Sequence, residues 1–511
     1  MMSRLILFLA FLACLNGCGV LPGSQNAPKR EFRGVWVATV ANIDWPKSGW
    51  EGSVEQKGHF KRILDFYDKL NYNAVIVQVR AAGDALYPSQ YAPWSRYIAG
   101  SEGRMAQWNE DPLAWMVEET HKRGMEFHAW FNPYRATMSL DTSTLSPEHD
   151  FYRHPEWMLP YGNKNYYDPG LPEVRTKFNA IIAEVVTNYD IDAVHFDDYF
   201  YPYKITDETL RDSLSYSTHA LPGQSLEDWR RSNVDSLVKG VHTTIKSIKP
   251  WVQLGISPFG VWKNKSTDPK GSDTQAGQTT YEDLYADPLL WMNEGWIDYL
   301  APQVYWSLEL PVASHRKIVD WWSKNSKGAH LYIGNGAYKV RNNSDAAWNE
   351  KKELPNQVAL ARSYDNVLGN ILFSAKSLMK ENQDVVEYLK RRYYKYPALT
   401  PVQASSKVPV PNPPEITKIA LQGESIILTL STKGQFKQAL LYQSGKKAKA
   451  TYPIQKLIAK IPLEHDANVL EISRKVWPKG HRALVFLDNY GRETKPIIIH
   501  HNQIPTHDQK R

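Results

Sequence analysis

Residues 191–198 read IDAVHFDD, a β-rich run that stops on two adjacent carboxylates, Asp197 and Asp198. Five aromatic rings surround the pair, in FDDYFYPY (196–203). Working outward, seven other runs have the same make-up: FRGVWVATV (32–40), NAVIVQVR (73–80), MEFHAWFN (125–132), VQLGISPFG (252–260), IDYLAPQVYW (297–306), HLYIGNGAY (330–338) and GNILFSAK (369–376). Helical segments alternate with them. Residues 58–70 place apolar side chains at 60, 63, 64, 66, 67 and 70; residues 225–249 open on a capping pattern of Ser225 and Asp228; residues 382–395 close the series. Eight such units predict an α/β fold, a (β/α)8 TIM-type barrel over 32–395. An open doubly wound sheet is the rival, but no G-x-G-x-x-G or Walker pattern follows any run.

A parallel barrel presents its functional groups where its strands end. Those ends carry Gln78, Arg80 and Asp84; His128, Trp130, Asn132, Tyr134 and Arg135; Asp197, Asp198 and Tyr199; Trp262; Gln303, Tyr305 and Trp306; Asn335 and Tyr338. Side chains alternate along a strand. Gln78 with Arg80, His128 with Trp130 and Asn132, His195 with Asp197, and Gln303 with Tyr305 each share a parity. Polar groups repeated on one parity do not suit an apolar helix interface, and are expected to converge in the barrel mouth.

Like charges in contact repel, so one Asp of the pair is expected to hold its proton more tightly. Arg80 or Arg135 would keep the other ionised, and packing against Tyr199, Trp130 or Trp306 would raise the protonated one. One protonated and one charged carboxyl in an aromatic cleft suits glycoside hydrolysis. Asp197 and Asp198 are therefore the candidate catalytic acids, with Asp84 and Asp273 as carboxylates that would complete a spaced pair instead. Substrate assistance by an acetamido group is equally compatible, with Tyr305 supporting the amide oxygen. A zinc-dependent deacetylase would use His128, His195 and Asp197, but no H-x3-H, H-E-x-x-H or cysteine cluster is present. A non-catalytic glycan-binding protein is the third reading. No cofactor or metal is expected.

The first residues, MMSRLILFLAFLACLNGC, have a charged start at Arg4 and an apolar stretch too short to span a bilayer. Residues 1–17 read as a signal peptide. Leu15–Cys18 resembles a bacterial lipobox, which implies cleavage before Cys18, its acylation, and attachment to a membrane there. Gly19 resembles the sorting default for the periplasmic side of the outer membrane. Cys14 leaves with the signal, so the mature chain has no second thiol for a disulfide. Residues 18–31 read as a tether. A net charge of +7 without a Lys/Arg block gives no reason to expect nucleic acid. Eighteen Trp and 29 Tyr lean toward a carbohydrate site, since aromatic faces stack on sugar rings, although most such residues serve cores and interfaces. Six prolines in Tyr396–Pro414 predict an extended linker (396–415). Short β runs over 416–501 then predict an immunoglobulin- or fibronectin-like sandwich, and 502–511 a tail.

Several blocks also resemble the glycosyl hydrolase-like 10 lipoproteins: RGVWVATVANIDWP, QVRAAGDALYPS, HKRGMEFHAWFNPYR, FDDYFYPY, GISPFGVWKN, GSDTQAGQTTYEDLYAD, DYLAPQVYW and LYIGNGAYKV. The resemblance covers residues 32 to 392. It implies a TIM-barrel hydrolase acting on peptidoglycan glycan strands stripped of stem peptides, near the division site and a protein partner there. By that match the site positions are Asp197, Asp198, Asn132, Arg135, Gln303 and Tyr305. The last strand departs from the pattern: it continues as ILFSAKSL instead of an Arg-Glu-Asp-like sequence. The linker and sandwich lie outside the resemblance.

Overall fold

The computed structural model describes residues 27–403, 408–431, 436–463, 468–477 and 480–504. The expected signal peptide, Cys18, the first part of the tether and the end of the tail lie outside them. The eight runs form strands β1 (Phe32–Val37), β2 (Ala74–Arg80), β3 (Glu126–Phe131), β4 (Ala193–Phe196), β5 (Gln253–Ile256), β6 (Tyr299–Leu300), β7 (His330–Asn335) and β8 (Val367–Leu372). All pair in parallel with their sequence neighbours, and β1 pairs with β8 to close the barrel. A main helix packs after each strand, with shorter helical turns in some loops: α1 (Ser53–Lys69), α2 (Pro112–His121), α3 (Pro172–Asn188), α4 (Leu226–Ile248), α5 (Pro288–Asn293), α6 (His315–Asn325), α7 (Glu353–Ala361) and α8 (Gln383–Arg392). The fold is a (β/α)8 barrel. Helix α4 starts as its sequence dictates, since the Ser225 side chain accepts from the Asp228 amide.

Each strand splits its side chains between two cores. Val35, Val75, Val77, Phe127, Val194 and Leu254 face the helices. Phe32, Trp36, Ile76, Trp130, Tyr299, Tyr332 and Ile371 fill the barrel interior. Phe32 and Tyr332 stack there, with centroids 4.2 Å apart. Gly255 makes the room: a β-carbon on it would lie 1.8 Å from the Tyr299 ring.

Beyond the barrel lie two antiparallel sheets. Strands β9 (Ile416–Gln422), β10 (Ser425–Leu430) and β13 (Val469–Ser473) form one; β11 (Phe436–Gln443), β12 (Leu457–Pro462), β14 (Arg482–Asp488) and β15 (Ile497–Ile499) form the other. Their inner faces share one apolar cluster. This unit docks on the N-terminal end of the barrel. Lys437 of β11 reaches Glu126 of β3 (2.8 Å) and Asp192 (3.2 Å), and Lys460 donates to the Gly124 carbonyl at 2.8 Å. The first part of the proline-rich segment is also docked rather than free. Leu399 exchanges backbone hydrogen bonds with Lys29 and Glu31, and its side chain is buried.

Candidate active site

The chain turns as β4 ends, and both carboxylates reach the C-terminal rim by different routes. Asp197 Oδ2 accepts from Trp130 Nε1 at 3.0 Å, and Asn132 Nδ2 lies 3.2 Å from both of its oxygens. Asp198 Oδ1 accepts from Gln303 Nε2 at 3.0 Å, and its Oδ2 from the Tyr203 hydroxyl. Gln303 is held in turn by the Ser257 carbonyl at 2.9 Å. The loops after β5 and β6 touch here, so a β-carbon on Gly260 would lie 2.6 Å from the Gln303 carbonyl oxygen. Arg135 is anchored by its backbone to Asn132 and by its guanidinium to the Ala81 carbonyl, and lies 4.5 Å over the Tyr199 ring.

Burial and the neighbouring Asp198 charge push the Asp197 carboxyl up to about 7, against the opposing pull of Arg135 and Trp130. Burial also raises Asp198, while Tyr203, Gln303 and Arg135 favour its ionised form. The pair therefore titrates in two steps: Asp197 holds its proton below about 7, while the donors around Asp198 favour its ionised form. Burial and the Asp198 charge keep the Tyr305 hydroxyl well above the usual phenol range, so it remains a donor.

Half-buried rings wall the pair. Tyr199, Tyr203, Phe259 and Trp306 form an edge-to-face row with centroids 5.5, 6.2 and 5.5 Å apart. Tyr305, Tyr338 and Phe373 form a second cluster, with separations of 5.9 to 6.0 Å. The structure thus brings together Asp197, Asp198, Trp130, Asn132, Arg135, Tyr199, Gln303, Tyr305 and Trp306.

Other expected site residues go elsewhere. Gln78 accepts from the Thr39 and Val40 amides, latching the loop after β1. Arg80 does not share the facing of Gln78, because a register shift lies between them and pairs Arg80 with outward-facing Phe131. It reaches the Asp84 carbonyl at 3.2 Å and the Tyr167 hydroxyl at 3.5 Å, beside Asp150 and Lys177 under α3. Arg135, not Arg80, is therefore the cation of the site. Asp84 caps the Ala82 amide. Asp273 is an exposed partner of Lys317 at 2.5 Å, so neither completes a spaced pair. Tyr134 is buried in the outer core. Trp262 stacks on Trp321, 5.5 Å away, under Lys263. Asn335 is tied to Asn370 and to Gln357 of α7, on the helix side of the sheet.

His128 and His195 lie below the rim, joined through Tyr299. The indole of Trp36 can only donate, and does so to His195 Nε2 at 3.1 Å. His195 Nδ1 must then donate to the Tyr299 oxygen (2.9 Å), and the Tyr299 hydroxyl to His128 Nδ1 (2.8 Å). His128 Nε2 donates to Glu126 at 3.3 Å. Each imidazole lone pair is already engaged. Among the described residues no group of three or more His, Cys, Asp or Glu could hold a metal ion. The zinc arrangement of His128, His195 and Asp197 is thus not formed.

Strand-end reading missed Tyr203, Phe259 and Phe373. Tyr203 was one of five rings beside the pair, with no period to single it out. Phe373 opens the continuation FSAKSL, which carries no carboxylate to draw attention to the ring.

The model for the family described as glycosyl hydrolase-like 10 matches residues 31–350. The glycosyl hydrolase YngK of Bacillus subtilis (strain 168) is 44% identical over 476 residues, which cover 92% of this chain and 90% of that protein. The glycosyl hydrolase DigH of Escherichia coli (strain K12) is 38% identical over 397 residues, covering 73% of this chain and 89% of that protein. Among solved structures, the PgaB (BpsB) glycoside hydrolase domain from Bordetella bronchiseptica aligns with a TM-score of 0.47 at 11% identity, covering 71% of this chain and 98% of that one.

Proposed function

The chain belongs to the glycosyl hydrolase-like 10 family and is a glycosidase, and on that premise we propose that it cleaves peptidoglycan glycan strands freed of stem peptides. The observation that carries the chemistry is the unequal carboxylate pair, with Asp197 pushed up to about 7 beside Asp198. Asp197 gives its proton to the glycosidic oxygen as the C1–O bond breaks. The Asp198 carboxylate stabilises the positive charge that develops at C1 and the ring oxygen. Water adds at C1, and its proton returns to Asp197. The aromatic walls supply faces for successive sugar rings.

Adjacent carboxylates and a donor hydroxyl on Tyr305 favour assistance by the acetamido group of an N-acetyl sugar: Asp198 orients its N–H, and Tyr305 supports its oxygen. The lipobox-like LNGC (15–18) supports acylation at Cys18. Together with Gly19, it supports a place on the periplasmic side of the outer membrane, where the strands lie within reach. A division-site protein partner fits the same reading.

Incubation with purified stripped strands, followed by mass spectrometry of the products, tests this. Shorter oligosaccharides with new reducing ends are expected. Intact stripped strands, under conditions in which another amino-sugar polymer is cut, would overturn the substrate assignment.

A further inference from the structure

The loops after β1 and β2 carry an unusual pair of exposed groups on the rim that bears the carboxylates. Trp50 is 67% exposed and Met105 72%. The Trp50 indole is seated on Gly100, where a β-carbon would lie 2.5 Å from the ring. Gly100 has φ +85°, so glycine suits the position twice over. The Arg104 guanidinium lies 5.3 Å from the indole centroid. The Arg96 backbone is alongside, since Gly49, next to Trp50, abuts its carbonyl, and the Arg96 guanidinium lies 6.0 Å from the Tyr97 ring centroid. Both arginines are exposed, and among the described residues neither forms a salt bridge.

Nearby acids do not neutralise them. Glu51 faces His59 at 3.2 Å. Glu102 accepts from the Ser146 amide at 3.0 Å instead of pairing with either arginine, and burial with Asp84 behind it pushes its carboxyl up to about 8 against the pull of Arg96. The patch adjoins the carboxylate site through Tyr97, whose carbonyl accepts from Asn42 at 2.9 Å and whose hydroxyl feels the charge of Arg135.

We propose that Trp50, Arg96 and Arg104 form a remote subsite for a sugar bearing a free carboxylate. An exposed indole offers the apolar face of a pyranose a stacking surface. A guanidinium beside it offers paired donors with carboxylate geometry. On an amino-sugar strand, such an acid is what remains when a peptide amide has been hydrolysed. The subsite thus reads the stripped state of the polymer directly, and rests on the strand-cleavage reading for its substrate. A strand bound across Asp197 and Asp198 and running past Arg135 and Tyr97 brings a distal sugar to the indole.

The test uses the full-length protein and stripped strands in two forms: with free carboxylates, and with the same carboxylates converted to N-methylamides. Initial rates are read on both forms, and binding to the Asp197→Asn protein by calorimetry. Wild type should prefer the free-acid form in kcat/KM. Arg96→Ala/Arg104→Ala should lower kcat/KM about tenfold on acid strands and erase the preference, whereas Trp50→Ala should lower it on both forms. Equal treatment of the two forms by wild type, a preference retained in the double variant, or unchanged Trp50→Ala rates would each overturn the subsite. If wild type cleaves neither form, strand cleavage is what fails, and calorimetry still decides the subsite. Acid-selective binding lost with the arginines supports it; binding blind to the acid overturns it.

Discussion

Asp197 and Asp198 are consecutive in the chain yet take their hydrogen bonds from different strands. Trp130 and Asn132 at the end of β3 donate to Asp197. Gln303, beyond β6, and Tyr203 donate to Asp198. Two like charges in contact are thereby held in unlike surroundings, which separates their titrations.

Replacing either carboxylate by the isosteric amide should lower kcat by about 10²- to 10⁴-fold, because Asp197→Asn removes the transferable proton and Asp198→Asn the stabilising charge. Circular dichroism should show the barrel intact, since barrel closure does not depend on either carboxyl. Near-wild-type turnover by either variant on stripped strands would remove that residue from the mechanism.

The rate should fall as pH rises through about 7, where Asp197 ionises. A raised folded pKa on a buried acid means the protonated form is the favoured one, so the active form lies on the acid side. Trp130 donates to the ionised carboxylate and opposes that rise. Trp130→Phe should therefore move the alkaline limb upward, and Asp198→Asn should lower the Asp197 pKa. The first is read from the pH–rate profile. The second is read from the infrared carbonyl band of the protonated acid. A limb moving downward in Trp130→Phe contradicts the assignment of Asp197 as acid.

The alternation of polar residues identified which side chains face inward, and the barrel's eight units were legible from the β runs and their intervening helices. Facing inward is not the same as reaching the mouth. His128 and His195 share the parity of Trp130 and Asp197 but sit a layer deeper, where Tyr299 joins them. Arg80 departs from its parity because of the register shift after Gln78, which no residue type announces. Tyr203 and Phe259 reach the site from loops, where neither period applies.

Tyr305→Phe separates two ways of stabilising the reaction. If the hydroxyl supports an acetamido oxygen, the variant should lose about ten- to a hundredfold in kcat on N-acetyl strands. Against N-deacetylated strands, which wild type itself should process poorly, the variant and wild type should differ little. Equal losses on both substrates would place Tyr305 outside any assisted mechanism and favour direct attack by a carboxylate.

Lys437 holds the C-terminal sheets to the barrel base through its ion pairs with Glu126 and Asp192. Burial pushes Asp192 and Glu126 up, but Lys437 with His121 for the first, and with His128 for the second, outweighs it and leaves both below their ordinary values. A depressed folded pKa contributes stability above the unfolded values of about 3.9 and 4.3, and that contribution disappears as pH falls through the folded values. Burial lowers His121, but Asp192 outweighs it and raises its pKa. Its contribution is therefore complete below about 6.5 and is lost as pH rises through the higher folded value. Lys437→Met leaves two carboxylates without their ammonium and should cost about 2 kcal/mol in urea unfolding at pH 7. The gap to wild type should narrow as pH drops, since protonated Glu126 and Asp192 no longer need the cation. A gap independent of pH would mean that Lys437 acts through its aliphatic stem rather than its charge.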